Sequence, residues 1–351
     1  MKISYMLKRE DFYTINEKTL QAFFGGNGEE KKLFIYPHLN AIVKRFPSKQ
    51  VREYIYTEYA VNGSLVKKLL VWLYTRLCLN SFGLLADRTI TLPAKIGNSV
   101  LIYPCNRKFR IFDFAEQTVS VITKWGFSQN SLHNEIRFRT QCPPADFILP
   151  IDKHTDNTYT EHIIEGIPLA RIPDNDNLKD IALALWQEYA KESRKAVGAA
   201  EYAGTLRARI AAFKDKIKEA KPMANLERLD TVSAFYLDII ERAEDTVELI
   251  QSHGDLQPGN IWLENSTGRI FIIDWESVET RSIWYDPACL HGGIRIQENL
   301  NQIATQRDMR SAVITVEEII YRLNELCELP YDYGTDDFNA LTAELEKCCH
   351  V

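Results

Sequence analysis

Polar residues that could hold a metal ion and accept a proton lie close together in residues 253–276. Asp255 and Asn260 are five residues apart in a segment whose Pro-Gly pair prevents a continuous helix. The following runs IWLE and RIFIIDW predict two short strands joined by the polar turn ENSTG. Such a hairpin would bring Asp274 back beside Asn260, so that three oxygen-bearing side chains converge.

Phosphoryl transfer needs this combination of side chains. Mg²⁺ takes hard oxygen ligands while it keeps some of its waters. A separate carboxylate can orient and deprotonate the attacking hydroxyl. We therefore predict Asp255 as the base and Asn260 and Asp274 as metal ligands. The alternative interpretation is an acidic loop and hairpin that lack this chemistry.

The motif His253-Gly254-Asp255, followed by Asn260 and by Asp274-Trp-Glu276, resembles the aminoglycoside phosphotransferase and choline kinase group of the protein-kinase-like superfamily. That group carries HGD or HxD where protein kinases carry HRD, and IDxE or IDWE where they carry DFG. The resemblance implies that His253 fixes the catalytic loop by hydrogen bonds. It also implies that Glu276 lies near the metal or the acceptor.

The resemblance extends over about residues 96–300 and is strongest at 253–288. It implies an α+β, two-lobed protein-kinase-like fold. The expected divisions are a basic N-terminal extension (1–95), a β-rich N-lobe with the hinge (96–166) and a helical C-lobe (167–351). It further implies ATP or GTP with Mg²⁺ as cofactors, and a small-molecule hydroxyl acceptor such as a sugar, amino sugar or amino alcohol.

Three runs rich in β-branched and aromatic residues, SVLIYP, KFRIFDF and TVSVITK, predict the strands of the N-lobe. The third ends at Lys124 and resembles the β3 lysine strand of kinase-like enzymes, and the next segment predicts a helix carrying Glu135. The resemblance implies a Lys124–Glu135 ion pair that holds Lys124 against the nucleotide phosphates. The alternatives are a solvated lysine with a surface glutamate, or phosphate contact through Lys108 or Arg110. The first hairpin lacks a GxGxxG loop.

The segment after this helix resembles the hinge of the group at Glu161, His162 and Ile163. A hinge binds adenine through main-chain groups, so these residues are named for their position only. Residues 174–250 predict three amphipathic helices, the third running directly into the HGD loop. Trp284 and Tyr285 could line the acceptor pocket or pack in the core, and the following aspartate is expected to brace the loop.

Composition sets outer limits on the function. The net charge is −6, but residues 1–80 hold 13 Lys+Arg against 7 Asp+Glu, which leaves 29 against 41 in the remainder. The acidic remainder argues against a nucleic-acid-binding protein. Seven cysteines without a CxxC pair suggest neither a zinc site nor a disulfide framework.

The sequence also bears on membranes. No apolar segment typical of a signal peptide opens the chain, and we expect a cytoplasmic enzyme. Residues 65–80 mix leucines and aromatics with basic residues, so they could lie weakly in a membrane interface or pack on their own domain. A membrane-surface adaptor is therefore one competing function. The other is a nucleotide-binding pseudokinase, which the missing GxGxxG loop favours. The sequence does not indicate an oligomeric state.

Overall fold

Runs of alternating apolar side chains in the first part of the chain build one antiparallel sheet. The computed structural model describes residues 9–25, 30–59, 65–93 and 96–350. The sheet contains β1 (Glu30–Tyr36), β2 (Ala41–Lys44), β3 (Arg88–Pro93), β4 (Val100–Pro104), β5 (Lys108–Asp113), β6 (Thr118–Thr123), β7 (Lys153–His154) and β8 (Thr158–His162). Their order across the sheet is β3-β1-β2-β4-β5-β6-β8-β7. The three strands predicted for the N-lobe are therefore confirmed as β4, β5 and β6.

The chain divides into two units, and this sheet belongs to unit 1, which comprises Met1–Leu132 and Pro150–Ile164. Unit 1 also holds α1 (Arg9–Phe24), α2 (Lys49–Tyr59) and α3 (Leu65–Asn80). Leu20 of α1 packs with buried strand residues such as Ile42 and Phe109 to form its core. None of the helices in the described part of the chain is both long and apolar enough to cross a membrane.

The structure revises the predicted boundary between residues 95 and 96. That position falls inside the sheet, because β2 pairs with β4, with Ile42 opposite Ile102. Strands β1, β2 and β3 therefore belong to the same sheet as β4, instead of to a separate extension.

Unit 2 comprises His133–Leu149 and Glu165–Val351 and is mainly helical. Two small antiparallel sheets lie within it, in the orders β10-β11-β14 and β13-β12-β9. The strands are β9 (Gly166–Pro168), β10 (Lys195–Gly198), β11 (Thr246–Ser252), β12 (Ile261–Glu264), β13 (Ile270–Ile272) and β14 (Glu279–Ser282). The helices are α4 (Asn130–Gln141, which begins in unit 1), α5 (Asp176–Ala190), α6 (Ala199–Ala220), α7 (Leu226–Glu241), α8 (Tyr285–Leu290), α9 (Gln297–Ala304), α10 (Met309–Glu328) and α11 (Thr335–His350). The predicted order, a β-rich unit followed by a helical one in the α+β class, is confirmed.

Helix α10 is the centre of unit 2. Its apolar residues, including Val316, Ile319 and Leu323, are fully buried in one cluster with residues of α6, α7 and α11. Burying each such aliphatic side chain stabilises the fold by about 1.5–3 kcal/mol. A helix that is buried on nearly all sides leaves its polar residues no access to water, so they need partners within the protein.

Two local predictions for unit 2 were wrong. The third helix of the 174–250 region does not run into the HGD loop, because α7 ends at Glu241 and strand β11 intervenes. Residues 133–149 were assigned to the N-lobe but belong to unit 2, because Phe138 packs against Trp275 with ring centroids 4.9 Å apart.

Lys221, directly after α6, gives a testable prediction about unit 2. Its side chain is 2% exposed, and Nζ donates to the main-chain oxygens of Leu329 (2.9 Å) and Tyr331. Lys221→Met should lower the free energy of unfolding by about 3 kcal/mol, because buried carbonyls lose their donor. Urea unfolding measures this change. The control Lys218→Met, on the exposed side of the same helix, should unfold like the wild type. Equal effects of both substitutions would contradict the prediction.

Candidate functional site

The predicted hairpin is present and positions two of the predicted site residues. Strands β12 and β13 pair antiparallel, with Ile261 opposite Ile272. One residue beyond the ladder, the amide of Ile273 donates to the carbonyl of Asn260 at 2.9 Å. Because of this bond, the backbone of Asp274, the next residue, lies close to the backbone of Asn260. Asp274 has a φ of 70°, a left-handed conformation that aspartate tolerates better than most residues.

The carboxylate of Asp255 is surrounded by hydrogen-bond donors. Its Oδ1 accepts from Gln257 Nε2 at 2.6 Å and from Arg295 Nε at 3.0 Å. Its Oδ2 accepts from Asn260 Nδ2 at 3.0 Å, and the same nitrogen donates to the Asp255 carbonyl at 2.9 Å. Asp255 and Asn260 are therefore in direct contact, with the amide nitrogen of Asn260 turned towards the carboxylate.

Asp286 holds the chain that leads to Asp255, as the sequence predicts. Its buried carboxylate accepts the main-chain amides of His253 (2.9 Å) and Gly254 (3.1 Å). It also accepts from Ser252 Oγ and Trp186 Nε1, each at 2.9 Å. Four donors around a buried carboxylate satisfy a charge that would otherwise be costly to desolvate.

His253 is fully buried and acts on the loop through both ring nitrogens. Nδ1 accepts the amide of Asp255 at 3.2 Å, and Nε2 lies 3.1 Å from the Ile273 carbonyl, to which it can donate. Burial lowers the pKa of His253 from its ordinary value, despite the attraction of nearby carboxylates. A neutral ring with Nδ1 as acceptor fits these contacts. His253 thus joins the loop to the end of the hairpin, as the resemblance implies.

Three carboxylates converge at the end of the hairpin. Oxygen atoms of Glu135, Asp274 and Glu276 lie within 4.8 Å of one another. Helix α4 is fixed to this segment because Asn134 Nδ2 donates to the carbonyls of Glu276 (2.8 Å) and Val278 (3.1 Å). The cluster offers the hard oxygen atoms that a divalent cation prefers.

Glu135 forms an ion pair that the sequence analysis missed. The partner is Arg139, one helical turn later, at 3.2 Å, and both side chains are buried. The i, i+4 spacing of the two residues was the available signal. Lys124 belongs to unit 1 and Glu135 to unit 2, so the ion pair between them stays a prediction.

Lys124 follows strand β6 directly, at the predicted position, but it is not a solvated lysine. Only 5% of it is exposed, and burial lowers the pKa of its ammonium to about 8. The ammonium lies over the rings of Phe109 (5.2 Å to the centroid) and Phe12 (5.5 Å). Lys108 and Arg110, the alternatives, lie on the neighbouring strand β5.

The predicted hinge residues lie at the end of strand β8. Glu161 and His162 pair with β6, opposite Val119 and Thr118. The main-chain amide of Ile163 donates to the main-chain carbonyl of Gln117 at 3.0 Å, so this donor is used within unit 1. Adenine recognition by this segment stays a prediction.

The interpretation of Tyr285 as a core residue agrees with the structure. Its ring is fully buried, and its hydroxyl donates to Glu318 Oε2 at 2.8 Å. Trp284 is half-buried and packs against the same core of unit 2.

Arg295 is the residue that sequence reasoning missed. Besides Asp255, its guanidinium contacts the Gly254 carbonyl (2.5 Å), the Tyr285 hydroxyl (2.9 Å) and Glu318, and it lies 3.4 Å from the Tyr321 ring centroid. The Glu318 side chain is fully buried. The signal in the sequence was the pair of acids inside the apolar run AVITVEEIIY, because a buried acid needs a donor or a cation.

Comparison with known proteins gives structural similarity only. No family model matches the sequence, and no curated protein matches it. The chain is similar to an ethanolamine kinase of Plasmodium vivax, at 13% identity over 86% of this chain and 94% of that chain, with a TM-score of 0.45. It is also similar to an aminoglycoside 2'-phosphotransferase-IIIa in complex with GDP, at 17% identity over 79% of this chain and 97% of that chain, with a TM-score of 0.45. A choline/ethanolamine kinase family protein from Mesorhizobium loti is 13% identical over 72% of this chain and 86% of that chain, with a TM-score of 0.40.

These names fall within the group that the motifs resemble. All three TM-scores are below 0.5 and all three identities are below 20%. The roles proposed below therefore rest on the contacts of this chain and not on those structures.

Gly254 and Gly259, the two glycines of the loop from His253 to Asn260, give a matched test of its geometry. Gly254 has a φ of 82°, and a Cβ there would collide with the Ser277 carbonyl and the Arg281 guanidinium. Gly254→Ala should lower the free energy of unfolding by about 3 kcal/mol, because it adds left-handed strain and overpacking. A Cβ at Gly259 would meet nothing within 4 Å, so Gly259→Ala should not destabilise the protein. Urea unfolding measures the stability of both variants. Similar stabilities would contradict the close contacts and the left-handed conformation described for Gly254.

The Arg295–Glu318 contact gives a second prediction. Arg295→Met should lower the free energy of unfolding by about 3 kcal/mol, because it removes one of the cations that neutralise a fully buried carboxylate. The control is Arg207→Met, which breaks a half-exposed pair with Glu241 and should have a far smaller effect. Chemical denaturation measures both variants. An Arg295→Met variant as stable as Arg207→Met would contradict the burial of this pair.

Proposed function

We propose that this protein is a phosphotransferase that moves the terminal phosphoryl group of ATP or GTP to a hydroxyl of a small molecule. The observation that carries the proposal is the set of contacts of Asn260, which donates to the Asp255 carboxylate through its side chain. Its main-chain carbonyl accepts the amide of Ile273, the residue before Asp274. A base and two oxygen ligands in adjacent positions are what phosphoryl transfer requires.

The residues present fit a magnesium ion. The amide nitrogen of Asn260 is directed at Asp255, which makes its amide oxygen the atom suited to a cation. Asp274 supplies a carboxylate, with Glu276 and Glu135 close by. When bound with the nucleotide, Mg²⁺ supplies positive charge that offsets the negative charge on the phosphates.

Asp255 is the proposed base. Its carboxylate would accept a hydrogen bond from the acceptor hydroxyl, orient the oxygen and take the proton. The new phosphorus–oxygen bond would form as the bond to the bridging oxygen breaks and the nucleoside diphosphate leaves. Gln257, Asn260 and Arg295 fix the direction of this carboxylate, and a fixed direction is the main contribution that a protein makes to this reaction.

Nucleotide contacts are proposed for two parts of unit 1. Lys124, whose ammonium lies near the rings of Phe109 and Phe12, would neutralise phosphate charge. The segment Glu161–Ile163 would receive the base of the nucleotide through main-chain groups. The proposed acceptors are sugars, amino sugars and amino alcohols, the classes that the sequence resemblance implies.

A second candidate function is nucleotide binding without turnover. Two observations favour it. The hairpin of β4 and β5 lacks a GxGxxG loop, and three donors already occupy the Asp255 carboxylate. An acceptor hydroxyl would have to displace or share one of them.

Thermal unfolding with ATP and GTP, each with and without Mg²⁺, tests the proposed site. A nucleotide at 100 times its Kd should stabilise the wild type by about 2.7 kcal/mol. Asp274→Ala should lose the magnesium-dependent part of the stabilisation, because it removes a ligand. The control Glu264→Ala removes a carboxylate from the same hairpin and should keep it. No stabilisation of the wild type by either nucleotide would contradict the proposal.

The variant Asp255→Asn separates the two candidate functions. It should bind the magnesium nucleotide like the wild type. If the protein is a phosphotransferase, a screen of sugars and amino alcohols with labelled ATP should give a phosphorylated product that Asp255→Asn does not form. Nucleotide binding with no product from any acceptor would favour the binding protein, and unchanged turnover in Asp255→Asn would exclude Asp255 as the base.

A further inference from the structure

Helix α3 of unit 1 exposes an unusual amount of apolar surface. Six of its aliphatic residues are between 43% and 85% exposed, and we call them the α3 surface: Leu65, Val66, Leu69, Leu70, Leu73 and Leu77. The turn that follows adds Phe82, Leu84 and Leu85, which are at least half exposed. Patches of this extent on a folded protein usually mark an interaction site.

The buried side chains that the structure describes in this helix lie in its C-terminal part. Among the helix side chains that the structure describes, those of Thr75, Cys78 and Leu79 are buried. The first two and a half turns contact solvent on several sides, with aliphatic residues spread around the axis. A helix that is apolar all round is normally surrounded by protein core or by lipid. A single flat partner would cover one side, whereas a fluid apolar phase can surround it.

Charge decides between the partners that could cover it. Residues 44–88 hold eight Lys and Arg against three Asp and Glu, a balance of 8 − 3 = +5, in a chain whose net charge is −6. Two copies that met through this region would bring like charges together. An anionic lipid surface would instead attract it, at about 1 kcal/mol for each basic residue near the headgroups.

The polar and aromatic residues of α3 suit the boundary between lipid and water. Lys68 and Arg76 are exposed, so they can reach headgroups while their stems lie along the apolar surface. The guanidinium of Arg76 lies 4.3 Å from the Trp72 ring centroid. Trp72 and Tyr74 are 37% and 44% exposed, and both residue types favour the interface. The helix has 16 residues, about 24 Å at 1.5 Å per residue, which is short for a span.

We propose that α3 docks unit 1 on an anionic lipid surface and lies in the plane of the interface. The α3 surface enters the boundary of the acyl chains, and the exposed basic residues of the helix, Lys68 and Arg76, face the headgroups. This inference is independent of the proposed phosphotransferase activity.

Co-sedimentation of the full chain with lipid vesicles tests the proposal. Vesicles of equal parts phosphatidylcholine and phosphatidylglycerol should bind the protein, and vesicles of phosphatidylcholine alone should bind it far more weakly. The variant Leu70→Glu should reduce affinity more than about tenfold, because it puts a charge into the apolar face. The matched control Met223→Glu places the same charge at an exposed apolar residue of unit 2, 71% exposed, and should bind like the wild type.

Three outcomes would overturn the proposal. They are no binding to the anionic vesicles, equal binding to both kinds of vesicle, and equal binding by Leu70→Glu and the wild type. A concentration-dependent dimer that Leu70→Glu dissociates, without vesicle binding, would assign the surface to a second copy of the chain. Thermal unfolding of each variant shows that a loss of binding is not a loss of folding.

Discussion

The contacts of the Asp286 carboxylate are the constraint on which the candidate site depends. A buried charge is tolerated only where donors surround it, and here two of the four donors are consecutive main-chain amides, those of His253 and Gly254. Holding two consecutive amides fixes the path of the backbone just before Asp255. The backbone at Gly254 also lies close to the Ser277 carbonyl and the Arg281 guanidinium, so a side chain at this position would not fit. Asp255, the proposed base, is thus positioned by the main chain as well as by its own hydrogen bonds.

A second set of buried charges connects this loop to the helical core. Glu317 and Glu318 are consecutive on α10, where apolar packing leaves them no water. Glu317 accepts from Ser282 and Tyr202, while Glu318 accepts from Arg295, which reaches Asp255. Burial raises the pKa of Glu317. The buried centre of unit 2 therefore supports the loop that carries Asp255 through Arg295, a residue that no local motif marks.

Local patterns in the sequence predicted the hairpin, the strands before Lys124 and the brace at Asp286, because each depends on neighbours within a few residues or on a motif. The contacts that were missed join distant parts of the chain. Arg295 lies 40 residues beyond Asp255, and neither residue's surroundings in the sequence indicate the other. The domain boundary before residue 96 failed for the same reason, since only the pairing of β2 with β4 shows that the sheet continues. The roles in catalysis remain proposals.

The most direct test is the position of the metal ion. A crystal structure of the full chain with ADP and Mn²⁺ in place of Mg²⁺ would locate the ion by its anomalous scattering. We expect manganese at bonding distance, roughly 2.2 Å, from oxygen atoms of Asp274 and Asn260, with the phosphates on the same ion. Manganese bound elsewhere, or ADP bound without manganese at these residues, would contradict the assignment of the site.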